Sequence, residues 1–424
     1  MSIRLSTIAL ELDAFNLIER LPENPLVYIR GGEGLVGWGE ALRIEASGTN
    51  RINELAAKWR ELAETAVIDD QVKLPGTGLV AFGSIAFADA SSATSALIVP
   101  KILLGVRDGR AWLTTVETDV AGHPISNLGA EKFWAADARY STNPPINLAS
   151  GTQSANGFKN SVDRAVKAIT DDELEKVVLA RDLVGELPAS FDIRSVLAKL
   201  AARFPTCWVY SVDGMFGASP ELLVRVAHGQ VSARVLAGTA GRGTDPEVDK
   251  AISAALAASV KNTTEHAFAV DSLVQTLQPF CEHVDADPRP FSLALPNLWH
   301  LASDVHGVLR DEASVLDLAA ALHPTAAVAG TPRLEALDLL SELEPFDRGR
   351  YAGPVGWIGA DGDGEWAIAL RGAQIEGSGI RAFAGCGIVA GSEAEAELAE
   401  TELKFSPMRE ALSWVERQSG CDQF

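Results

Sequence analysis

The chain has 424 residues, of which 47% are hydrophobic and 22% charged, and this balance excludes a disordered or collagen-like protein. Its 57 acidic and 36 basic residues give a formal net charge of −21, which argues against binding to nucleic-acid phosphates or to anionic lipid. An anionic substrate would therefore need local cations or a metal ion to offset the global charge.

The cysteines and the apolar segments indicate where the protein resides. Cys207, Cys281, Cys386 and Cys421 are far apart and form no CxxC pair, so we expect free thiols in a reducing cytoplasm. No run of 18 apolar residues occurs, and acidic residues interrupt the first 19 positions, unlike a signal peptide. We expect a cytoplasmic protein without a membrane span, and a monomer because no coiled-coil pattern is present.

The first 150 residues read as mostly strand and turn. Short apolar segments separated by Gly, Pro or Asp predict strands at 26–30, 79–82, 96–100 and 111–116. Apolar residues at helical spacing predict a helix over 53–65. The glycine-rich run 31–37 lacks the Lys-Ser/Thr of a phosphate loop and lies between strand-like segments, so it predicts a hairpin.

The composition shifts at 142–157 (TNPPINLASGTQSANG), which we interpret as a linker between residues 1–150 and residues 158–424. The pattern beyond it predicts helices at 161–170 and 193–204, and strands at 175–184, 207–212, 222–226 and 230–236. Residues 246–277 are predicted to be helical over most of their length, and strands follow at 353–358, 365–375 and 380–388. Helix is predicted from Ser392 onward, interrupted at Ser406-Pro407, where a new helix would begin.

Strands and helices alternate irregularly in this prediction, and many strand pairs read as hairpins, for example around His228-Gly229. Parallel crossovers would need a more regular alternation of strand and helix. We therefore expect an α+β fold with large antiparallel sheets covered by helices. No internal repeat is visible, and the chain is expected to form a single unit over residues 1–424.

The last predicted helix carries the first candidate site residues. Glu397, Glu400 and Lys404 share one helical face, and two carboxylates one turn apart are suitable oxygen ligands for Mg²⁺. A solvated ion pair on a helix surface has the same spacing. The preceding strand, 383–389, contains glycines where a ligand could approach the backbone closely.

Two further titratable residues lie at predicted strand ends. Lys176 opens an apolar strand whose alternation places Lys176, Val178 and Ala180 on one face. Burial lowers the pKa of a lysine toward the range of a general base, whereas an edge lysine would extend to water. Glu221 precedes another strand. If it is buried there, its pKa is raised and it can donate a proton, whereas a solvated Glu221 keeps its ordinary pKa. The Glu265-His266 pair reads as surface residues on the long helix.

Nine segments occur in the order found in chorismate-utilising enzymes, and they resemble isochorismate synthases most. They are KVVLARD, GASPELLVRV, LAGTAGRG, LWHLASDVHG, LHPTAAVAGTP, LEPFDRGRYAGPVGW, ALRGAQI, FAGCGIV and ELAETELK. The resemblance runs over residues 175–408, so it implies that residues 158–424 carry the catalytic motifs and that residues 1–150 form the strand-rich part of the same unit. It also implies two large sheets packed together around a deep cleft, with helices outside.

The resemblance implies an isomerase that converts chorismate, a small-molecule substrate, into isochorismate. Lys176 would be the general base that activates water for attack on ring carbon 2. Glu221 would be the general acid that protonates the hydroxyl leaving carbon 4. Both menaquinone and catechol siderophore biosynthesis begin with this reaction.

The resemblance also implies the residues that bind the metal ion and the substrate. Glu265, Glu397 and Glu400 would bind Mg²⁺, which would hold the ring carboxylate. Arg371 and Tyr351 would hold the enolpyruvyl carboxylate. Six further matched positions would line the cleft: Gly238, Thr239, His300, Ala327, Gly385 and Lys404.

Differences from related branches favour attack by water. Anthranilate and aminodeoxychorismate synthases carry Gln where this chain has Lys176, and the second branch has its nucleophilic lysine where this chain has Ala237. Salicylate synthases share Lys176, Glu221 and the metal carboxylates, so a salicylate-forming lyase is an alternative, as is a non-catalytic chorismate-binding protein. Asn262 stands where relatives often have an acidic residue, which would reduce the carboxylate count near the metal ion.

Overall fold

The computed structural model describes residues 3–10, 16–118, 140–141, 143–310 and 313–413, except the side chains of Lys261 and Glu265. Its helices are α1 (Arg51–Thr65), α2 (Ala155–Thr170), α3 (Ile193–Arg203), α4 (Pro246–Ala258), α5 (Val260–Leu277), α6 (Val315–Leu322), α7 (Arg333–Leu343) and α8 (Ala394–Ser413). Short 3₁₀ helices lie at Leu17–Arg20 and Gln278–Phe280.

Strands occur along almost the whole length of the described chain. They are β1 (Ile3–Leu10), β2 (Leu26–Arg30), β3 (Glu33–Trp38), β4 (Leu42–Ala46), β5 (Val67–Asp70), β6 (Val80–Ser84), β7 (Ser95–Val99), β8 (Ile102–Arg107), β9 (Arg110–Thr118), β10 (Ala149–Ser150), β11 (Lys176–Glu186), β12 (Trp208–Val212), β13 (Met215–Ser219), β14 (Leu222–Ala227), β15 (Gln230–Gly241), β16 (Cys281–Ala286), β17 (Phe291–Ala294), β18 (Leu298–Leu309), β19 (Gly330–Thr331), β20 (Pro354–Gly359), β21 (Gly364–Ile368), β22 (Gly372–Glu376) and β23 (Gly379–Ile388).

These strands form two large sheets. The first sheet has the order β10-β11-β23-β22-β13-β12-β2-β3-β8-β9-β1-β5, and β19 also pairs with β11. The second has the order β16-β18-β15-β14-β21-β20-β6-β7-β4, and β17 also pairs with β18. β1 and β5 run parallel, and the other pairings within the described residues are antiparallel. Both sheets combine strands from residues 1–150 and 158–424, since β2 pairs with β12 and β6 with β20.

Alternation along the strands divides the apolar residues between two cores. In β2, Tyr28 packs in a core that also contains Phe82 and Trp366 of the second sheet, whereas Val27 and Ile29 point to the opposite face. That opposite face is covered by α3 and α8. The two sheets therefore pack face to face with helices outside, which confirms the expected α+β fold.

The predicted hairpin at 31–37 is confirmed. β2 and β3 pair through Arg30 and Glu33, which leaves a two-residue loop of Gly31 and Gly32. Both glycines have positive φ, at 61° and 87°, as a type I′ turn requires. The glycines are thus needed for a tight turn between strands and do not form a phosphate-binding loop.

Residues 246–277 are helical over most of their length, as predicted, but they form two helices, α4 and α5, with a break at Ser259. Ser259 has an extended backbone, and its side chain accepts a hydrogen bond from the Asn262 N–H. It is therefore the N-cap of α5. The apolar periodicity continues through this position, so the sequence pattern alone does not mark the break.

The interruption predicted at Ser406-Pro407 is wrong, because α8 continues through Pro407. A proline has no N–H to donate to the carbonyl four residues earlier, which here belongs to Leu403. The side chain of Asn297 donates to the Leu403 oxygen over 2.9 Å, and the Ser406 hydroxyl donates to it over 2.8 Å. These two donors satisfy the carbonyl and allow the helix to continue.

The segment predicted as a linker, 142–157, is exposed at many positions but is anchored at a few buried ones; Thr142 itself lies outside the described residues. Asn143 is 4% exposed, donates to the Asp192 carbonyl and accepts from the Asp192 N–H. Gln153 is 5% exposed and donates to the Ser161 hydroxyl. Buried side-chain hydrogen bonds therefore fix this polar segment against the rest of the chain.

The strand predicted at 365–375 is two strands in different sheets. β21 belongs to the second sheet and β22 to the first, and residues 369–371 cross between them. Arg371 has φ +49°, a conformation that ends the first strand and starts the second. This crossing carries one of the predicted site residues into the space between the sheets.

Three of the cysteines, Cys207, Cys281 and Cys386, are free thiols in buried positions, as the sequence predicted. Cys421 lies outside the described residues. Across the part of the chain that the structure describes, the helices are too short or too polar for any of them to cross a bilayer.

Candidate active site

A cavity of about 1100 Å³, including its open mouth, lies between the two sheets. Strands of both sheets and helices α5 and α8 contribute to its wall. Twelve of the thirteen predicted site residues line it: Lys176, Glu221, Gly238, Thr239, His300, Ala327, Tyr351, Arg371, Gly385, Glu397, Glu400 and Lys404. The thirteenth, Glu265, has its side chain outside the described part of the chain.

The cavity is located where the chain twice crosses from one sheet to the other. One crossing joins β13 to β14 through Pro220 and Glu221, and the other joins β21 to β22 through residues 369–371. The crossings are hydrogen-bonded to each other, because the Ile368 N–H donates to the Glu221 carbonyl and the Ala218 N–H donates to the Arg371 carbonyl. The backbone therefore fixes an acidic and a basic side chain in one cavity.

Lys176 enters the cavity from the first sheet. It is the first residue of β11, and Val178 and Ala180 of the same strand also line the cavity. This shared face is the one that the alternation predicted. The side chain is buried, with 9% of the residue exposed, so Lys176 is not an edge lysine extending to water.

Glu221 directly precedes β14 of the second sheet, faces the same cavity and is 5% exposed. Burial raises the pKa of Glu221 to about 8, although the positive charges of Arg371, Lys176 and Lys404 oppose that rise. Since a carboxyl group with this pKa is mostly protonated at neutral pH, Glu221 can donate a proton. Of the two alternatives that the sequence left open for Glu221, burial and solvation, the structure shows burial.

The face of α8 that bears Glu397, Glu400 and Lys404 also lines the cavity, as the spacing predicted. The Lys404 Nζ lies 2.6 Å from the Glu400 Oε1 and donates to the Gly385 carbonyl over 2.8 Å. Burial raises the pKa of Glu397, and the nearby negative charge of Glu400 contributes to that rise.

The Mg²⁺ site expected at Glu397 and Glu400 remains a prediction. A cation beside these carboxylates would favour the ionised form of Glu397, which burial and the charge of Glu400 disfavour. Within the described residues, no group of three or more His, Cys, Asp or Glu side chains is arranged to hold a metal ion. Two described carboxylates suit Mg²⁺, which keeps several positions for water or substrate oxygen. Asn262 lines the same cavity and supplies no charge.

Tyr351 is held by an aromatic stack and by a glycine. Its ring lies 4.9 Å from that of Phe383 with an interplanar angle of 10°, and burial raises the pKa of its hydroxyl to about 12. A Cβ added at Gly385 would lie 2.8 Å from the Leu179 carbonyl and 3.3 Å from the Tyr351 hydroxyl. Glycine at this position therefore leaves space for a neutral hydroxyl donor in the cavity wall.

Arg371 and His300 form a direct side-chain contact. The Arg371 Nη2 lies 3.0 Å from the His300 Nε2, and the His300 Nδ1 lies 3.1 Å from the Thr239 hydroxyl. Burial, together with the positive charges of Arg371 and Lys404, holds the pKa of His300 well below its usual range. The ring is therefore neutral at neutral pH.

Sequence reasoning did not single out Glu344 and Arg348, whose side chains are 5% and 4% exposed. Arg348 lines the cavity and donates to both Glu344 carboxylate oxygens over 2.6 and 2.8 Å. It also donates to the Val178 carbonyl, while Glu344 accepts from the Ala180 N–H. The pair thus binds the edge of β11 between the residues paired with β19 and those paired with β10. The i,i+4 charges within LEPFDRGRYAG were the available signal.

Replacement of Arg348 by methionine is expected to lower the free energy of unfolding by about 3–5 kcal/mol, because it leaves the Glu344 carboxylate buried without its partner. Denaturant unfolding at neutral pH measures this difference. Arg164→Met is the matched control, since Arg164 pairs with Glu342 on the surface, where the side chains are 60% and 66% exposed. We expect no measurable change for the control. Equal effects of the two variants would contradict the structural role of the buried pair.

His266 is buried rather than on the surface, which corrects the prediction for this residue. It is 2% exposed, its Nε2 lies 2.9 Å from the Ser303 hydroxyl, and its Nδ1 lies 3.3 Å from the Ala237 carbonyl. The ring therefore connects α5 to β15 and β18 behind the cavity wall. The spacing of the apolar residues in α5 does not distinguish this inward position from its neighbours.

Comparison with known proteins identifies relatives over most of the chain. A family model described as chorismate binding enzyme matches residues 3–413. The chain is 31% identical to isochorismate synthase MenF of Bacillus subtilis over 406 residues, 90% of this chain and 86% of that protein. It is 39% identical to isochorismate synthase DhbC of the same organism over 267 residues, 60% of this chain and 67% of that protein.

A solved structure is similar to nearly the whole fold. The menaquinone-specific isochorismate synthase MenF from Escherichia coli superimposes with a TM-score of 0.77 at 27% sequence identity. The superposition covers 97% of this chain and 94% of that protein. The similarity therefore includes the two sheets and the helices that surround the cavity.

Proposed function

The chain belongs to the chorismate-binding enzyme family, and we propose that it is an isochorismate synthase, an isomerase that converts chorismate into isochorismate. The observation that carries the proposal is the position of Lys176 and Glu221, a buried lysine and a buried carboxylic acid that face one cavity from different sheets. A protein that only binds chorismate needs neither group. The names of the relatives agree with this activity.

The charges of the cavity suit a substrate with two carboxylates. The guanidinium of Arg371 and the hydroxyl of Tyr351 face the cavity together and would bind the enolpyruvyl carboxylate. Glu221 adds no negative charge near neutral pH because it keeps its proton. Arg371 and Lys404 therefore offset the acidity of the whole chain at this place.

In the proposed reaction, Lys176 in its neutral form removes a proton from a water molecule as the water oxygen bonds to ring carbon 2. The ring double bond shifts, and the bond between carbon 4 and its hydroxyl breaks. Glu221 donates its proton to that hydroxyl, which leaves as water. One water enters and one leaves, so the product is an isomer of chorismate.

Glu397 and Glu400, together with Glu265 by resemblance, would hold Mg²⁺ at the cavity wall formed by α8. The ion would supply positive charge for the ring carboxylate of the substrate. Lys404 would keep Glu400 correctly oriented through their 2.6 Å ion pair.

Position 237 favours attack by water over covalent catalysis. Ala237, directly before Gly238 in the cavity wall, has no nucleophilic side chain. The isochorismate formed would supply menaquinone or catechol siderophore biosynthesis, which consume the same product.

The proposal is tested by incubating the purified protein with chorismate and Mg²⁺, with an EDTA-treated sample as control, and resolving the products by chromatography and mass spectrometry. We expect a product of unchanged mass that reaches equilibrium with chorismate, and no product after EDTA treatment. Salicylate with stoichiometric pyruvate would identify a lyase instead. An absence of turnover under all these conditions would contradict a catalytic role.

A further inference from the structure

We infer that His300 is a positioning residue that, as an Nδ1-protonated imidazole, fixes the guanidinium of Arg371 toward the substrate. The inference rests on the proposed function, in which Arg371 binds a carboxylate of chorismate. His300 would act on the substrate through Arg371 and not by proton transfer.

The hydrogen bonds of the imidazole determine its tautomer. A guanidinium has only donors, so the His300 Nε2, 3.0 Å from the Arg371 Nη2, must be the acceptor. The ring proton is then on Nδ1, which faces the Thr239 hydroxyl at 3.1 Å and the Gly238 carbonyl at 3.4 Å. One protonation state of the ring therefore satisfies all three contacts.

The backbone holds His300 in place. It belongs to β18, where it is opposite Thr239 of β15 on one side and Leu293 of β17 on the other. The register of β15 shifts between Leu236 and Thr239, and Gly238 has φ +87° within this irregularity. The shift brings the Gly238 carbonyl and the Thr239 hydroxyl to the imidazole, which explains why a glycine is needed here.

Arg371 depends on such a partner. It lies in the short crossing between the sheets, where its carbonyl accepts from the Ala218 N–H and so fixes the backbone. Its long side chain would otherwise sample many rotamers. Within the described residues, His300 is the hydrogen-bond acceptor of its guanidinium. One N–H group is thus engaged, and the others are left for a carboxylate.

The charges around the ring favour the neutral form. Arg371 from the sheet crossing and Lys404 from α8 both oppose protonation of His300, and burial does so as well. An imidazolium would lose the lone pair on Nε2 and bring two cations into contact. Protonation would therefore release Arg371.

A double-mutant cycle tests whether His300 acts through Arg371. We expect His300→Ala to raise the Kd and KM for chorismate about tenfold, which corresponds to about 1.4 kcal/mol, with a smaller change in kcat. The double variant His300→Ala/Arg371→Ala should bind no more weakly than Arg371→Ala alone. His300→Gln, whose amide both accepts and donates, should restore most of the affinity. Additive losses, or no rescue by glutamine in a folded variant, would overturn the inference.

A spectroscopic measurement gives an answer that is independent of turnover. Long-range ¹H–¹⁵N spectra of the wild type report the tautomer of each histidine, and the signal missing in His300→Gln identifies His300. We expect a neutral ring with its proton on Nδ1, whereas a proton on Nε2 or an imidazolium would overturn the inference. If the wild type binds chorismate without forming isochorismate, the proposed function fails while the binding cycle and the tautomer remain readable.

Discussion

Replacement of Lys176 by methionine is expected to lower kcat for isochorismate formation by about 10²- to 10⁴-fold, the usual contribution of a general base. Methionine keeps the length of the side chain but provides no amine to accept the proton of the attacking water. The affinity for chorismate should change only a few-fold, because Arg371 and Tyr351 remain in the cavity. Steady-state kinetics and calorimetric binding measure the two quantities separately.

The matched control for this variant is Lys159→Met, because Lys159 is a lysine outside the cavity whose Nζ pairs with Glu395 over 2.7 Å on the surface. It should keep wild-type kinetics and a wild-type melting temperature. If Lys176→Met retained kcat within tenfold of the wild type, the assignment of Lys176 as the base would be wrong. A large loss of affinity with unchanged kcat would indicate that Lys176 binds the substrate instead.

Glu221→Gln is expected to lower kcat by a similar factor of about 10² to 10⁴, because glutamine cannot donate the proton that the leaving hydroxyl needs. In the wild type, kcat/KM should fall as the pH rises through about 8, the pKa that burial gives Glu221. The fall should be absent from the residual activity of Glu221→Gln. A wild-type profile that stays level to pH 9 would contradict the role of Glu221 as the acid.

The same pKa predicts that Glu221→Gln, which lowers activity, raises the stability of the folded protein at high pH. The folded protein binds the Glu221 proton up to about pH 8, whereas the unfolded chain releases it near the ordinary value of 4.5. The contribution of this group to stability is therefore fully present below pH 4.5 and is lost as the pH rises through about 8. Glu221→Gln should accordingly unfold at a higher denaturant concentration than the wild type at pH 8.5. Loss of stability together with activity would point to a folding defect.

Most of the fold could be predicted from local patterns. Short apolar segments, such as those that form β2 and β11, and turns with paired glycines appear directly in the sequence. The crossing at 369–371 could not be predicted, because the residues on both sides are apolar and continue one strand pattern across two sheets. The continuation of α8 through Pro407 depends on Asn297, a residue from a distant loop.

The site residues that lie in recognisable sequence motifs could be predicted. Lys176 and Glu221 were found by their strand positions and by resemblance, and the structure brings them into one cavity. Glu344 and Arg348 were missed because their role depends on their contact with the edge of β11. The sequence alone does not show which strand edge a side chain will reach. The metal role of Glu265 remains a prediction that rests on resemblance.

The pairing of β6 with β20 has a consequence for synthesis on the ribosome. About 270 residues separate the two strands. The hydrogen bond from the Trp59 indole to the Gly359 carbonyl likewise cannot form until Gly359 has been synthesised. At roughly 5–20 residues per second, the nascent chain carries β6 with one open edge for on the order of 15 to 50 s. All five residues of β6 are buried in the folded protein, so this edge is apolar as well as unpaired. A ribosome that stalls before Pro354 would therefore leave a fragment prone to pair with other chains.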